Sequence, residues 1–412
     1  MDHYDSLETR DPAVRQREQF AALVNQIAHA QANAPYFARL LGEVDANAIG
    51  DRAALAQLPV TRKSQLHELQ RASMPFAGMS AVAIGDLGRI YSSPGPIYDP
   101  EGRRADYWRM ARTLFATGMR RGDLVLNTFS YHFTPAGFMF DMGAHALGCA
   151  VIPAGTGNTE LQVAAIRDLQ PSGYAGTPSF LRIILEKADE LKADVTCIKR
   201  ALVAAEALPP SLRTQFEARG IRTLQCYASA DLGLIAYESA ALEGMIVDED
   251  VIVEIVRPGT GEPVAEGEVG EVVVTTLTPE YPLIRFATGD LSAVLPGASP
   301  CGRTNMRIKG WMGRADQTTK VKAMFVTPAQ VAQVAKRHPE IAKARLIVDF
   351  DDRKNDRMTL HCELAGAGSD ALARAIAESI REVCKLRGEV AFKPAGTLPN
   401  DGKVIDDTRK YE

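Results

Sequence analysis

No apolar run reaches the ~18 residues that a membrane-crossing helix needs, so no span is expected. The opening stretch, MDHYDSLETRDPAVRQREQF, is polar and lacks the hydrophobic segment of a secretory leader. Lysine and arginine form no long block, and the formal net charge is only −4. Neither a nucleic acid nor an anionic membrane is therefore an expected partner. Cysteine is scarce: Cys149, Cys197, Cys226, Cys301, Cys362 and Cys384 are scattered and form no CxxC pair. In a chain of 412 residues that pattern fits a reducing compartment, the cytoplasm, better than a disulfide framework. Internal repeats and low-complexity tracts are also missing.

What is present is an ordinary globular balance, 46% hydrophobic and 24% charged, with enough length for two or three domains. Phe20, Leu23, Val24, Ile27 and Ala28 fall at helical spacing within a helix expected over about 11–41. Pro59 breaks the pattern, and Thr61 is a plausible N-cap for the next helix. From Ala105 to Leu208, helical stretches such as AGFMFDMGAHALG alternate with strand-like ones such as DLVLNTF and CAVIPAG. This alternation predicts a layered α/β domain with a largely parallel sheet. After Glu243 the chain turns β-rich, with Gly/Pro turns, and reads as a barrel-like subdomain over about 244–315. A small α+β domain is expected over 316–412, leaving 1–315 as the large N-terminal domain.

Seven ordered motifs carry a resemblance. They are LPVTRKSQL, LGCAVIPAGTGNTELQ, GTPSFLRII, CYASADLGLIAYES, VIVEIVRPGTGEPVAEGEVGEVVVTTLTPEYPLIRFATGDLS, CGRTNMRIKGWMGRADQTTKVKAMFVTPAQV and LPNDGKVIDDTR. From about Leu58 to Lys410 the chain resembles the phenylacetate–coenzyme A ligase family, within the adenylate-forming superfamily of acyl-CoA synthetases, peptide-synthetase adenylation domains and luciferases. The resemblance implies the adenylate-forming fold, with a mobile C-terminal domain carrying a catalytic lysine.

It also implies roles for individual residues. Asp290 would accept hydrogen bonds from both ribose hydroxyls, as a carboxylate can; alone, an Asp after Gly289 reads as a turn. Arg314 would contact ribose or phosphate, and Asp316 would be the hinge between domains. Tyr227 would stack on adenine, with a core tyrosine as the plain alternative. Where the family has Thr-Glu, this chain has Ala230-Asp231. Asp231 remains a catalytic and magnesium-ligating candidate, one methylene shorter than Glu. Glu206, in AAEAL, matches a Gly-Glu turn beside adenine, with Ala205 in place of glycine. Lys403 matches the adenylating lysine, which offsets charge developing between carboxylate and α-phosphate. Tyr131, His132, Phe133 and Phe138 fall in the region that lines the acyl pocket, where Gly176 and Ala228 would leave room for a flat ring. Some relatives carry a Cys/His zinc cluster; here Ser239, Ile246 and Ser299 stand at the matching places and only Cys301 is kept, so no structural zinc is expected.

One motif departs further. SSPGPIYDP falls on the family's phosphate loop, which works through consecutive backbone N–H groups and a lysine. Pro94 and Pro96 each remove a donor, and Tyr98 replaces the lysine. Asp99 adds negative charge where the β- and γ-phosphates would lie, while Ser92 and Ser93 remain as hydroxyl donors. The expected activity is activation of an aromatic carboxylic acid by ATP and magnesium, with acyl transfer to CoA or to the phosphopantetheine arm of an acyl carrier protein. Two alternatives stay open: ATP-independent aryl transfer from acyl-CoA to a thiol, and a non-catalytic homologue that only binds the acid. A homodimer is possible for a chain of this family.

Overall fold

The computed structural model describes residues 2–93, 96–258, 260–315, 317, 319–322, 324–364, 366, 368–399 and 404–409. The chain forms two compact units, Met1–Met312 and Gly313–Glu412.

In the first unit, Asp11 starts the helix Pro12–Asn33 by accepting from the Ala13 and Val14 amides at 2.9 and 3.1 Å. Phe20, Leu23, Ile27 and Ala30 form its buried face. The helix ends earlier than its spacing predicts because Pro35 forces Ala34 toward extended backbone (φ −114°, ψ 105°). A separate short helix, Pro35–Leu40, follows. Thr61 is not an N-cap: it lies in the strand Thr61–Arg62, paired in parallel with Phe286 and Ala287. The helix Lys63–Ala72 starts one residue after that strand, which fixes Lys63 beside the strand Phe286–Ser292.

The main sheet has nine strands. Five are parallel, in the spatial order Arg222–Ser229, Arg200–Val203, Gly173–Gly176, Leu124–Asn127 and Ala150–Pro153. The antiparallel strand Gly233–Glu238 extends it, followed by Met245–Val247, Arg307–Ile308 and Val294–Leu295. A second sheet orders Thr61–Arg62, Phe286–Ser292, Gly270–Thr276 and Val251–Val256. The β-rich stretch after Glu243 thus feeds both sheets.

The helix expected from Ala105 begins only at Met110. Asp106, at φ 48°, caps it by accepting from the Met110 and Ala111 amides at 2.8 and 3.0 Å. Burial pushes the Asp106 carboxyl up to about 6 despite those two donors. This helix packs closely on Ala136–Leu147, where a Cβ at Gly143 would fall 2.8 Å from the Ala111 nitrogen.

The second unit is a four-stranded sheet in the order Glu389–Pro394, Asp356–Leu364, Ile341–Phe350 and Ile405–Asp407. The helices Pro328–Lys336 and Asp370–Cys384 bury Val331, Val334, Ile376 and Ile380 with its Leu346, Val348, Met358 and Leu360. Among the described residues no helix is long and apolar enough to cross a membrane.

Candidate active site

The stretch Arg89–Gly102 folds mostly as a β-hairpin, Arg89–Ser93 against Ile97–Glu101. Two sets of contacts brace it. Glu101 accepts from Tyr91 Oη at 2.6 Å, Trp108 Nε1 at 2.8 Å and Arg89 Nη1 at 2.5 Å. Gln70 grips both backbone groups of Tyr98, each at 2.8 Å. The hairpin spends its polar groups on the fold. The Ser92 amide donates to the Phe133 carbonyl at 2.8 Å, and the buried Ser93 hydroxyl is directed at the Ile97 carbonyl at 3.4 Å. Only the Ser92 hydroxyl is left of the two expected phosphate donors.

Asp99 does not face solvent. Paired opposite Tyr91, it is 0% exposed and turned toward Asp231 and Lys63. Desolvation, followed by the nearby Asp231 charge, holds its carboxyl well above the usual carboxylate range. Asp231 is also buried, in the turn after Arg222–Ser229, and its Oδ2 accepts from Lys63 Nζ and, at 3.4 Å, from Ser229 Oγ. Burial opposes the Lys63 charge, but the Asp231, Asp99 and Asp290 carboxylates outweigh it and raise the ammonium pKa. Lys63 went unassigned in the sequence, although it lies inside LPVTRKSQL; its only signal was an invested cation within a quoted motif.

The expected nucleoside side is assembled on adjoining strands. Tyr227 Oη donates to Asp290 Oδ2 at 2.7 Å, and Trp311 Nε1 donates to Asp290 Oδ1 at 3.0 Å. Tyr227 Oη also lies 3.3 Å from Thr288 Oγ1. Each carboxylate oxygen of Asp290 has two acceptor sites, and these donors orient the group. Trp311 is a second residue that sequence reasoning passed over. The chain has two tryptophans, of which Trp108 is 2% and Trp311 37% exposed. Nucleotide binding at Asp290 is therefore expected to change tryptophan emission through Trp311. Trp311→Phe should abolish that change and weaken AMP by about tenfold, the loss of one hydrogen bond to a charged group; unaltered emission and affinity would separate Trp311 from the site.

Glu206 Oε2 lies 3.4 Å from the Ser179 amide near the N-terminus of the helix Pro178–Leu191. Ala205 adopts φ +69°, a left-handed conformation in which an L side chain is strained by about 1–2 kcal/mol. Glycine at this place relieves that strain and loses some chain entropy. Ala205→Gly should raise the unfolding free energy by about 0.5–1 kcal/mol, read from urea midpoints at constant m-value.

Of the acyl-pocket candidates, Tyr131 and Phe138 form an edge-to-face pair with centroids 5.1 Å apart. Tyr131 Oη accepts from Asn127 Nδ2 at 2.7 Å and donates to Asp141 at 3.1 Å. Burial, with the Asp141 charge, raises the Tyr131 pKa and keeps the phenol protonated. Ala228 is half-buried beside Tyr227. His132 and Phe133 instead lie outside any enclosed wall: Phe133 is 68% exposed at φ +59°, with its ring against that of His132. Gly176 leaves no room for a ring either. A Cβ there would overlap Thr128 Oγ1 and the Tyr174 hydroxyl, which fill the space and hydrogen-bond to each other at 2.9 Å.

Lys403 and Asp316 lie outside the described residues. Arg314 belongs to the second unit, its guanidinium 5.6 Å from the Phe325 ring centroid. Cys301 Sγ lies 3.0 Å from Ser299 Oγ. Among the described residues no group of three or more His, Cys, Asp or Glu side chains is placed to hold a metal ion.

Residues 104–278 match the AMP-binding enzyme family. The chain is 31% identical over 347 residues to a phenylacetate-coenzyme A ligase of Escherichia coli, covering 80% of this chain and 78% of that one. It is 30% identical over 355 residues to that of Aromatoleum evansii (82% and 79%) and 29% identical over 404 residues to that of Thermus thermophilus (92% and 90%). Among solved structures, a 2-hydroxyisobutyryl-CoA ligase in complex with 2-HIB-AMP and CoA superposes with a TM-score of 0.85 at 22% identity, over 98% of this chain and 92% of that one. An amide bond synthetase from Marinactinospora thermotolerans gives 0.59 at 15% identity, over 95% and 93%. The fold is that of the adenylate-forming ligases.

Proposed function

The chain belongs to the phenylacetate-coenzyme A ligase family of AMP-binding enzymes, and from that premise we propose that its acid is aromatic and its thiol is that of CoA. It is an adenylate-forming acid–thiol ligase that uses ATP. The carboxylate oxygen attacks the α-phosphate, the bond to pyrophosphate breaks, and the acyl-AMP forms. The thiol then attacks the acyl carbon, AMP leaves, and a thioester results.

The observation that carries the reading is Asp290 held at both oxygens, by Tyr227 at 2.7 Å and Trp311 at 3.0 Å. That is a preoriented acceptor for a ribose diol, the anchor from which an adenylate is positioned. Tyr131 and Phe138 supply an aromatic face for the acid. Magnesium, which neutralises phosphate charge in such reactions, fits Asp231, whose buried Oδ1 has no hydrogen-bond partner. Lys403 would supply the second positive charge.

ATP–pyrophosphate exchange with a panel of aromatic and small aliphatic acids, followed by mass spectrometry of CoA thioesters, tests the proposal. Exchange driven by aromatic acids is expected. Exchange by aliphatic acids alone removes the aromatic reading. The hairpin's missing donors favour one competitor: thioester exchange from a preformed aryl-CoA without ATP, and no ATP–pyrophosphate exchange, would select transfer instead.

A further inference from the structure

In the second unit, three charged side chains converge on the backbone of one short turn. Lys343 and Glu363 are direct cross-strand partners in the antiparallel pair Ile341–Phe350 and Asp356–Leu364. Arg345 lies two residues beyond Lys343, so the strand's period of two puts it on the same face. Lys343 Nζ donates to the Leu398 carbonyl at 3.2 Å and to the Pro399 carbonyl at 2.9 Å. Arg345 Nη2 donates to the Pro399 carbonyl at 3.0 Å. Glu363 Oε1 accepts from the Leu398 amide. That bond, with the Gly396 and Thr397 amides nearby, holds the Glu363 carboxyl below the usual carboxylate range. Arg345 and Glu363 are buried, and buried charges are costly unless each is paired. An ordinary surface turn needs no such grip, because water serves its backbone groups.

The turn is the last described stretch before residues 400–403. On the far side the chain is fastened again. The Val404 amide donates to Gln317 Oε1 at 2.9 Å, and the Val404 carbonyl accepts from the Leu346 amide at 2.9 Å. Ile405 then pairs in parallel with Leu346. Pro399 and Val404 are thus both held by residues 343–346 of a single strand. Four residues join them in the sequence, and Lys403 is the last of the four. Fixing both ends of so short a connection lowers the entropy cost of placing a group within it. We propose that Glu363, with Lys343, is a positioning residue for adenylation: it fixes where the chain enters the segment carrying Lys403, and it sets the rate of acyl-adenylate formation through that lysine. The proposal rests on the ligase reading and on Lys403 as its cation. Charged groups suit the task because they seize main-chain atoms, and so set the path of the chain rather than the packing of its side chains.

A double-mutant cycle on ATP–pyrophosphate exchange tests this, using the full-length protein, radiolabelled pyrophosphate and the most active acid of the panel. Glu363→Gln keeps the shape and removes the charge at the Leu398 amide. It should lower exchange about tenfold. In a Lys403→Ala background the same change should lower exchange by less than about twofold, because a residue that acts through the lysine has nothing left to act on. Thioester formation from a preformed aroyl-adenylate should fall at least about fivefold less than exchange does. Melting curves check that each variant is folded. If Glu363→Gln does not fold, Lys343→Met, which keeps the stem and loses the ammonium, goes through the same cycle with the same expectations. Wild-type exchange in a folded Glu363→Gln overturns the proposal. So does an equal loss with and without Lys403, or an equal loss in both half-reactions, since either means that the charges only stabilise the unit. The ligase reading fails by a different result, a wild type that exchanges with no acid. The role of the lysine fails when Lys403→Ala exchanges like the wild type.

Discussion

Arg285→Met is expected to lower the unfolding free energy by about 3–5 kcal/mol, the usual cost of removing one partner of a buried ion pair. Arg285 is 1% exposed and forms a two-pronged pair with Glu254, each bond 3.0 Å. Its remaining N–H groups reach the Ala56 carbonyl at 2.7 Å, the Gly261 carbonyl at 2.7 Å and the Leu58 carbonyl. Methionine would fill much of the volume but leave Glu254 buried without its guanidinium and three carbonyls without their donor. Arg52, whose charge acts on Glu254 and whose Nη1 bonds Val253 at 2.8 Å, offsets only part of this. A double variant, Arg285→Met with Glu254→Met, should recover some stability, because the orphaned charge is gone. It should stay below wild type, because the carbonyls remain unpaired. Denaturant unfolding of the three variants checks the order. A loss under about 1 kcal/mol for Arg285→Met would mean the network relaxes and the account is wrong. The consequence extends to the site: Arg285 ties the loop before Thr61–Arg62 to the start of the strand bearing Asp290, so Lys63 and Asp290 are positioned by the same residue.

The sequence made much of this architecture legible because long periodic stretches and ordered motifs are redundant signals. The βα alternation from Ala105 to Leu208 gives four of the five parallel strands, since continuous apolar runs such as DLVLN and KRALV bury on both faces. What escaped were positions decided by tertiary context. Thr61 has the chemistry of an N-cap, but pairing with Phe286 takes it into a strand. Gly176 reads as space until Tyr174 of its own strand and Thr128, just past the end of the neighbouring strand, fill it. Asp99 has period-two placement on a hairpin whose inner face is invisible without its partner, so an acid expected beside the phosphates is buried instead. Trp311 lies inside a quoted motif, and nothing local says that its indole turns toward Asp290 across 21 residues.

Lys403→Ala should lower ATP–pyrophosphate exchange by about 10²–10³-fold, the range found when one preorganised charge-stabilising donor is removed from a transition state. The expectation rests on the family register of LPNDGKVID, and on the demands of the step. Joining a carboxylate to an α-phosphate brings two anions together, and charge accumulates on the oxygens as the pyrophosphate bond breaks. This hairpin offers less help than usual: the Ser92 amide is committed to Phe133 and the Ser93 hydroxyl faces inward. On the proposed ligase reading, a larger share of the stabilisation is therefore expected from Lys403 and Lys63. The thiol step has a different need. There AMP departs already charged, so a preformed aroyl-adenylate should still yield thioester with the Lys403→Ala protein at a rate within about tenfold of wild type. Lys403→Arg should rescue poorly, because a planar guanidinium does not occupy the place of a compact ammonium. Exchange that survives Lys403→Ala within about twofold would take the lysine out of the reaction and leave Lys63 as the cation that must carry it.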